Sequence, residues 1–155
     1  MVLSSYMTDL DYMKIAYELA KEAGFAGEIP VGAVVVLNDK IIGKGFNKRE
    51  SKFDISSHAE IEAIKDAEKT LGNWRLDGAT LYVTLEPCLM CSGAILQSRV
   101  SKVVFGSRDE KDGAIVSNYF VFDSPCSHER PLVYGDILKE ECDALLKDFF
   151  ALKRK

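Results

Sequence analysis

The sequence predicts a layered α/β fold, and two observations support this prediction. After a first helical segment, strand-like and helix-like segments alternate in the order β, α, β, α, β. The first of these β regions is two runs separated only by Asn38-Asp39, which is typical of an antiparallel hairpin. The later strands are separated by helices, as parallel strands are. We therefore expect helices covering a sheet that begins antiparallel and continues parallel.

The N-terminal half is predicted to hold one helix and the hairpin. Apolar residues recur at helical spacing from Asp9 to Ala23, and Gly24 can end that helix. The hairpin strands are Gly32 to Leu37, which is rich in valine, and Lys40 to Phe46. A polar loop is predicted from Asn47 to Ser56.

The C-terminal half is predicted to hold three more helices and three strands. A helix runs from Ser57 to Leu71, where Gly72-Asn73 ends it. Thr80 to Leu85 is a strand that Pro87 terminates. The remaining predicted elements are a helix, two strands and a last helix, at Cys88 to Gln97, Lys102 to Phe105, Leu132 to Tyr134 and Leu138 to Leu152.

Composition places the chain among ordinary globular proteins. It has 155 residues, of which 47% are hydrophobic and 28% charged, so we expect a single domain over residues 1–155. No apolar run approaches the roughly 20 residues that span a bilayer, and the N-terminus does not resemble a secretory signal. We therefore expect a cytoplasmic protein with no membrane association. In that compartment the four cysteines are expected to be thiols, thiolate ligands or redox groups.

The charge pattern leaves two interpretations open. A formal net charge of −4 by itself argues against binding to nucleic acid. Basic residues nevertheless concentrate in three windows, at Lys40 to Lys52, Arg99 to Lys111 and Lys147 to Lys155. These windows are either ordinary solvated surface or parts of one patch that folding brings together.

Two motifs at predicted helix starts carry residues suited to chemistry. One is His58-Ala59-Glu60, and the other is Pro87-Cys88-Leu89-Met90-Cys91. Cysteines three apart in a first turn share a helix face, and the helix N-terminus favours the thiolate. With His58 they form a set of three zinc ligands that leaves one tetrahedral position open for water. Such zinc lowers the pKa of its water to roughly 7, which predicts a hydrolytic enzyme.

Glu60 is the candidate proton carrier for that enzyme. Residues two apart do not share a helix face, so Glu60 can approach the water from another side than His58. The pattern Ser57-x-x-Glu60 also fits a capping box, in which the glutamate only caps the helix. Alone, the motif favours the cap, whereas its combination with the cysteine motif favours catalysis.

The cysteine motif alone has further interpretations. Cys88-x-x-Cys91 also fits a redox pair, or half of a structural zinc site completed by Cys126 or Cys142. The histidine-glutamate pair on a separate helix favours the catalytic site. Cys142 lies in an amphipathic helix and is expected to pack in the core. His128, outside any motif, is expected to be a surface or hydrogen-bonding residue.

His-x-Glu followed by Pro-Cys-x-x-Cys is the signature of zinc nucleoside and nucleobase deaminases. Beyond this signature, the chain resembles the bacterial tRNA-specific adenosine deaminases over nearly its whole length. The segments that carry this resemblance are Glu28 to Val34, Thr84 to Cys88, Gly93 to Ile95, Ser98-Arg99, Val103 to Gly106, Glu141-Cys142, Leu145-Leu146 and Phe149-Phe150. They are more specific than the signature, which cytidine, cytosine and guanine deaminases share.

The resemblance implies a fold and an activity. The fold is a three-layer α/β/α sandwich with a mixed five-stranded, cytidine deaminase-like sheet, in a homodimer with one zinc ion per subunit and no organic cofactor. The activity is hydrolytic deamination of adenosine to inosine at the wobble position of a tRNA anticodon stem-loop. A free nucleobase or nucleoside deaminase, acting on cytosine, guanine or cytidine with the same zinc site, is the alternative. A noncatalytic zinc- or RNA-binding module is disfavoured by Glu60.

The resemblance also implies roles for individual residues. His58, Cys88 and Cys91 would bind zinc, and Glu60 would move protons from the water to N1 of adenine and to the leaving amine. The implied substrate-binding residues are Val31, Asn47, Ala59, Pro87, Arg108 and Asp109. Among them, Asn47 would bind the nucleoside and Val31 would form an apolar wall, while Arg108 and Asp109 would lie near neighbouring nucleotides. From the residues alone, these four also fit a turn asparagine, a buried strand residue and a solvated loop pair.

The last helix would flank the RNA in this resemblance. Its stacking and phosphate-binding residues would be Phe149, Phe150, Lys153 and Arg154, although the aromatic pair also fits a core position. Two segments depart from the family pattern. Asp54 to Ser57 replaces Asp-x-Thr-Ala, and Val116-Ser117 stands where Gly-Ser is expected. Since valine resists a positive φ, we expect the second departure to give the loop another path.

Overall fold

The structure, a computed structural model, describes residues 6–125 and 129–153. Cys126, His128 and Arg154, to which the sequence assigned possible roles, lie outside the described residues. Within the described part, the helices are α1 (Asp9–Phe25), α2 (Arg49–Lys52), α3 (Ala59–Leu71), α4 (Leu89–Ser98) and α5 (Lys139–Lys153). The strands are β1 (Gly32–Leu37), β2 (Lys40–Phe46), β3 (Thr80–Leu85), β4 (Lys102–Ser107) and β5 (Leu132–Tyr134), and a 3-10 turn covers Val121–Asp123.

The five strands form one mixed sheet in the order β2-β1-β3-β4-β5. β1 pairs antiparallel with both β2 and β3, whereas β3 with β4 and β4 with β5 pair parallel. Asn38 and Asp39 both adopt a positive φ, as a two-residue hairpin turn requires. The predicted antiparallel start and parallel continuation of the sheet are confirmed.

Helices cover both faces of the sheet, because side chains alternate between the faces along each strand. On one face, Val34, Tyr82 and Val104 pack with residues of α1 and α5. On the other face, the neighbouring positions of the same strands pack with Ala63 of α3 and Ile95 of α4. The predicted three-layer α/β/α sandwich is thus confirmed. Within residues 6–125 and 129–153, no helix combines the length and apolarity needed to cross a bilayer.

The observed helices differ from the predicted ones at their ends and in number. α1 continues two residues beyond its predicted end, past Gly24, and its N-terminus is closed by a capping box of Thr8 and Asp11. The predicted polar loop contains the single-turn helix α2. α3 begins one residue after His58, and α4 begins one residue after Cys88, so both of these side chains occupy N-cap positions.

The capping box considered for α3 does not form. His58, not Ser57, is the N-cap residue, and it makes no side-chain cap hydrogen bond. The Ser57 hydroxyl instead donates to Asp54, whose carboxylate also accepts the Ser56 backbone N–H and hydroxyl. Glu60 is therefore not used as a cap. The Asp54 to Ser57 segment, which departs from the family pattern, is therefore held together by hydrogen bonds among its own residues.

Strand register brings several chain segments to one edge of the sheet. Gly32 at the start of β1 lies opposite Phe46 at the end of β2, and Ala33 lies opposite Val83 near the end of β3. The parallel partner β4 ends beside β3, where Leu85 aligns with Ser107. The segments just beyond these strand ends therefore converge, and they carry the residues singled out from the sequence.

Candidate active site

Three potential metal ligands meet where α3 and α4 begin. The ligand atoms of His58, Cys88 and Cys91 all lie within 4.8 Å of one another. Nδ1 of His58 lies 3.6 Å from Sγ of Cys88 and 3.5 Å from Sγ of Cys91. Cys88 and Cys91 belong to one helix start and His58 to another, so the tertiary packing of α3 against α4 creates the group.

The spacing of these atoms fits zinc. Tetrahedral zinc with Zn–S of about 2.3 Å and Zn–N of about 2.0–2.1 Å places sulfur and nitrogen about 3.6 Å apart. The two observed nitrogen–sulfur distances, 3.6 and 3.5 Å, agree with this value. One imidazole and two sulfurs are also ligand types that zinc prefers, and three protein ligands leave one position for water or substrate.

The electrostatics of the group favour a thiolate. Hydrogen bonds from Cys91 and then from His58 outweigh burial and lower the pKa of Cys88 to about 4. Cys91 donates in this pair, and this contact together with burial raises the pKa of its thiol. The hydrogen bond to Cys88 raises the pKa of His58. Cys88 is thus a thiolate at neutral pH, which is the form of cysteine that binds metals.

Glu60 lies in the first turn of α3, beside the three ligands, and is only 4% exposed. Burial, reinforced by the negative charge of Cys88, raises the pKa of this carboxyl group to about 7. The groups that hydrogen-bond it are its own backbone N–H and the Cys91 thiol. The carboxyl group nevertheless faces a cavity of about 390 Å³ that His58 and Cys88 also line.

Four of the predicted substrate-binding residues line this cavity, namely Val31, Asn47, Ala59 and Asp109. Val31 and Ala59 are buried and apolar. The side-chain amide of Asn47 donates to the Ile29 carbonyl and accepts the Arg49 backbone N–H, each at 3.3 Å. Asn47 therefore serves its loop, as the turn interpretation expected, and also lies at the cavity.

The structure does not bring Pro87 and Arg108 to the cavity wall. The Arg108 guanidinium pairs with Asp136 on the exposed surface, at 3.1 and 3.2 Å. The Pro87 carbonyl accepts the Ala114 backbone N–H at 2.9 Å, so Pro87 ties the start of α4 to a neighbouring loop. Both residues hold chain segments next to the cavity, and neither lines it.

Several cavity residues were missed from the sequence, most notably Arg49, Glu86, Asp112 and Tyr119. Arg49 lies in the first of the basic windows, which is the signal that could have found it. Glu86 belongs to the segment Thr84 to Cys88, which carries part of the family resemblance, but no role was predicted for it. Tyr119 follows a segment that departs from the family pattern.

The departure at Val116 does not force a positive φ at that residue. Positive φ values fall instead on Tyr119 and Phe120, three and four residues later. Val116 thus lies outside the positive-φ region that valine resists, and the left-handed residues come later in the loop. Tyr119 is exposed and lines the cavity.

The fold and this site together define a deaminase of the cytidine deaminase-like class. A sequence profile of the MafB19-like deaminase family matches residues 7–154. The chain is 46% identical to the tRNA-specific adenosine deaminase of Bacillus subtilis over 144 residues, which are 93% of this chain and 89% of that protein. It is also 46% identical to the enzyme of the same name from Haemophilus influenzae, over 95% of this chain and 86% of that protein.

The fold of this chain is also found in solved structures. One from studies of A-to-I editing by tRNA:A34 deaminases at the wobble position superposes with a TM-score of 0.85 at 40% identity, covering 87% of this chain and 98% of that one. A guanine deaminase from Nitrosomonas europaea shares the fold, with a TM-score of 0.79 at 24% identity over 97% of this chain and 87% of that one. The protein belongs to the family of tRNA-specific adenosine deaminases.

Proposed function

We propose that this protein hydrolyses adenosine to inosine at the wobble position of a tRNA anticodon and releases ammonia. The observation that carries the proposal is the meeting of one imidazole, two cysteine sulfurs and the buried Glu60 carboxyl group at one cavity. Relatives that are 46% identical over nearly the whole chain are tRNA-specific adenosine deaminases. This supports adenosine in RNA as the substrate over a free nucleobase.

His58, Cys88 and Cys91 are the proposed ligands of one zinc ion per subunit. Zinc bound by three protein ligands supplies an activated water at neutral pH. Glu60 would accept the two protons of the attacking water one after the other, and would deliver one to N1 of the adenine and the other to the leaving amine. Its burial excludes bulk water, so that the proton stays between the carboxyl group and the substrate.

The walls of the cavity suit a purine that has been rotated out of its stack. Val31 and Ala59 present apolar surface against which a base can pack, and the Asn47 amide has a second N–H available to a nucleoside oxygen. Arg49 adds a guanidinium at the same cavity, where it can bind a phosphate. A nucleotide held by its base and its backbone is the substrate that these groups fit.

The other expected properties complete the proposal. Residues 1–155 act as one zinc-dependent deaminase domain that needs no organic cofactor and functions as a homodimer. The partly buried Phe149 and the exposed Lys153 of α5 form a pair in which the ammonium lies 5.6 Å from the ring centre, and this pair offers stacking and phosphate contacts to the anticodon stem-loop. Because the proposed substrate is a tRNA, we propose that the protein is located in the cytoplasm.

A substrate panel tests the proposed function. The zinc-loaded protein is incubated with an anticodon stem-loop carrying adenosine at the wobble position, and in parallel with free adenosine, cytidine, cytosine and guanine. We expect inosine in the stem-loop alone, and none when the wobble adenosine is replaced by guanosine and the other loop adenosines are retained. Turnover of a free base or nucleoside with no change in the RNA would overturn the tRNA assignment in favour of the nucleobase or nucleoside deaminase.

Metal analysis tests the proposed ligands independently of the substrate. Cys91→Ala removes one sulfur of the group, and we expect stoichiometric zinc in the wild type and less than a tenth of that in the variant. Cys142→Ala is the matched control, because this thiol packs between α5 and the sheet. Zinc retained by Cys91→Ala would contradict the ligand assignment.

A further inference from the structure

Glu86 is a buried carboxylate that connects the ligand motif to a neighbouring loop. It follows β3 directly, precedes Pro87 and Cys88, and is only 1% exposed. Its backbone N–H donates to the Ser107 carbonyl at 2.8 Å, so its main chain is fixed against the end of β4. The side chain points towards the segment from Asp109 to Tyr119, which we call the 109–119 loop.

The Glu86 carboxylate accepts five hydrogen bonds from this loop. Oε1 accepts the Asp109 backbone N–H at 3.1 Å and the Ser117 hydroxyl at 2.6 Å. Oε2 accepts the backbone N–H groups of Ile115, Val116 and Ser117 at 3.1, 2.9 and 3.0 Å. Burial acts to raise the pKa of Glu86, but the Ser117 hydroxyl and these N–H groups outweigh it and keep the pKa below its usual value. All five donors are neutral groups of one loop, and together they satisfy both oxygen atoms of the Glu86 carboxyl group.

Gly113 shows how closely the loop encloses this carboxylate. A Cβ atom at Gly113 would lie 2.4 Å from the carboxyl carbon of Glu86 and 2.5 Å from Oε1. Such contacts are far shorter than van der Waals packing permits, so only glycine lets the loop approach this closely. The loop is thus shaped around the Glu86 side chain on both sides of Gly113.

The same loop forms one wall of the candidate active site. Asp109, Asp112 and Tyr119 line the cavity, and all three lie on or next to the turns that Glu86 closes. Four of the five donors are backbone N–H groups, which every residue except proline supplies. This explains physically why valine at position 116 is compatible with the loop: Glu86 binds the amide of that residue and makes no demand on its side chain.

We propose that Glu86 is a positioning residue that folds the 109–119 loop before substrate arrives and so presets the cavity wall that receives the nucleotides next to the target adenosine. That the ligand of this wall is a nucleotide rests on the proposed function. The ordering of the loop by Glu86 does not depend on that function. Without the carboxylate, four backbone N–H groups would have to be ordered when the RNA binds. The free energy needed to order these groups would make binding of the RNA weaker.

The test replaces the carboxylate by an amide of the same shape, in Glu86→Gln. An amide nitrogen cannot accept the N–H groups that the second oxygen binds, so the loop loses several hydrogen bonds while the volume stays constant. In the RNA-free protein we expect hydrogen exchange at Ile115, Val116 and Ser117 to accelerate at least tenfold, with β1 and β3 unchanged. With the anticodon stem-loop we expect KM to rise about tenfold, kcat to stay within twofold, and the zinc content to be unchanged.

Two further variants keep the result interpretable. Asp9→Asn removes a carboxylate that holds Tyr82 and Lys102 on the opposite face of the sheet, so it lowers stability without changing KM. Ser117→Ala removes only the hydroxyl donor and is expected to raise KM about threefold, and it replaces Glu86→Gln if that variant does not fold.

The outcomes separate the two proposals. Unchanged exchange at residues 115–117, or accelerated exchange with unchanged KM, would overturn the positioning role. A loss of kcat and zinc with KM unchanged would also overturn it, because Glu86 would then serve the ligand motif and not the loop. If the wild type binds the stem-loop but does not deaminate it, the proposed function fails, and the affinity for the stem-loop measured by fluorescence anisotropy takes the place of KM. If it does not bind the stem-loop at all, the proposal of a preset wall for nucleotides fails as well, whatever the exchange shows.

Discussion

Buried glutamates in this protein occupy two kinds of environment. Glu28 accepts N–H and hydroxyl groups from α2, and Glu86 accepts them from the 109–119 loop. Glu60 is also buried, but the groups that hydrogen-bond it are its own backbone N–H and the Cys91 thiol, and its carboxyl group faces the cavity. A carboxylate that accepts many protein donors stabilises structure, whereas one that has few donors and lines a cavity beside metal ligands can exchange protons with a substrate.

At the residue scale, Glu60→Ala tests the proton-transfer role. We expect kcat to fall by about 10²–10⁴, the usual contribution of general acid–base catalysis, with zinc content unchanged. Glu62→Ala is the matched control, because Glu62 lies on the same helix but pairs with Lys52 at its surface. Deamination by Glu60→Ala at the wild-type rate would refute the role of this carboxyl group.

The position of α3 depends on two glycines of β2. A Cβ atom at Gly43 would lie 2.3 Å from the Ala63 carbonyl oxygen, and one at Gly45 would lie 2.6 Å from the Ala59 carbonyl oxygen. The helix backbone therefore rests directly on the strand. Since His58 and Glu60 belong to the start of this helix, the close approach also sets where they lie relative to α4.

At the element scale, a glycine pair tests this contact. Gly43→Ala forces α3 away from β2 and is expected to lower the free energy of unfolding by about 1–3 kcal/mol or more. Gly93→Ala, inside α4, places its Cβ where no atom lies within 4 Å and should raise the free energy of unfolding by about 0.5–1 kcal/mol. Urea unfolding measures both. Equal effects of the two variants would show that α3 does not need this approach.

Glu28 connects the segment before β1 to α2, and this connection is sensitive to pH. Burial acts to raise the pKa of Glu28, but the Ser51 hydroxyl and the backbone N–H groups of Glu50 and Ser51 hold it below its ordinary value. A lowered pKa means that the stabilisation is complete above the ordinary glutamate pKa of about 4.3 and is lost as the pH falls through the lowered value.

The pH dependence can be isolated with Glu28→Gln. We expect the variant to be less stable than the wild type by about 1–3 kcal/mol at pH 7, because buried N–H donors lose a charged acceptor. The difference should begin to shrink as the pH falls below about 4.3, where the carboxylate of the unfolded wild type binds a proton, and should be lost as the pH falls through the lowered pKa of the folded protein. Urea unfolding at several pH values measures it, and a difference that stays constant into acid would contradict the assignment.

At the scale of the whole molecule, the candidate catalytic residues lie together at one edge of the sheet, whereas most charged residues lie elsewhere on the surface. Basic residues from two of the windows form ion pairs, Lys52 with Glu62, Lys102 with Asp9 and Arg108 with Asp136. These pairs reduce the positive charge that the windows present to RNA, whereas Arg49 reaches the cavity. Large apolar side chains stay exposed at the cavity and beside it: Leu89 and Met90 line the cavity, and Phe53 and Ile55 follow α2.

We predict that these apolar side chains are covered by a second subunit, as the expected homodimer requires. The mass measured by light scattering at micromolar concentration should then be about 34 kDa, twice the 17.2 kDa of one chain. Leu89→Glu would place a charge among them and is expected to shift the mass towards that of one chain. A wild-type mass of about 17 kDa under these conditions would contradict the homodimer.

Local patterns in the sequence were sufficient for the main helices and strands, although not for α2 or the 3-10 turn, and for grouping the candidate metal ligands. The hairpin at Asn38-Asp39 and the helical stripes follow from interactions between near neighbours, so they can be inferred before the fold is known. His58, Cys88 and Cys91 could be grouped because helix N-termini after strand ends recur at one edge of an α/β sheet. The capping-box alternative at Ser57 could not be settled from the sequence, because it depends on which residue becomes the N-cap.

Contacts between distant segments were decided only by the tertiary structure. Glu86 meets residues 109–117, Glu28 meets α2, and Arg108 turns to Asp136 instead of the cavity. Each of these depends on how loops pack across more than 20 positions of sequence, where no periodicity or spacing rule applies. The sequence by itself thus determined which atoms can bind a metal and carry a proton, because residue chemistry is local. The cavity that surrounds them was decided by the fold, because its walls come from chain segments that only the strand register brings together.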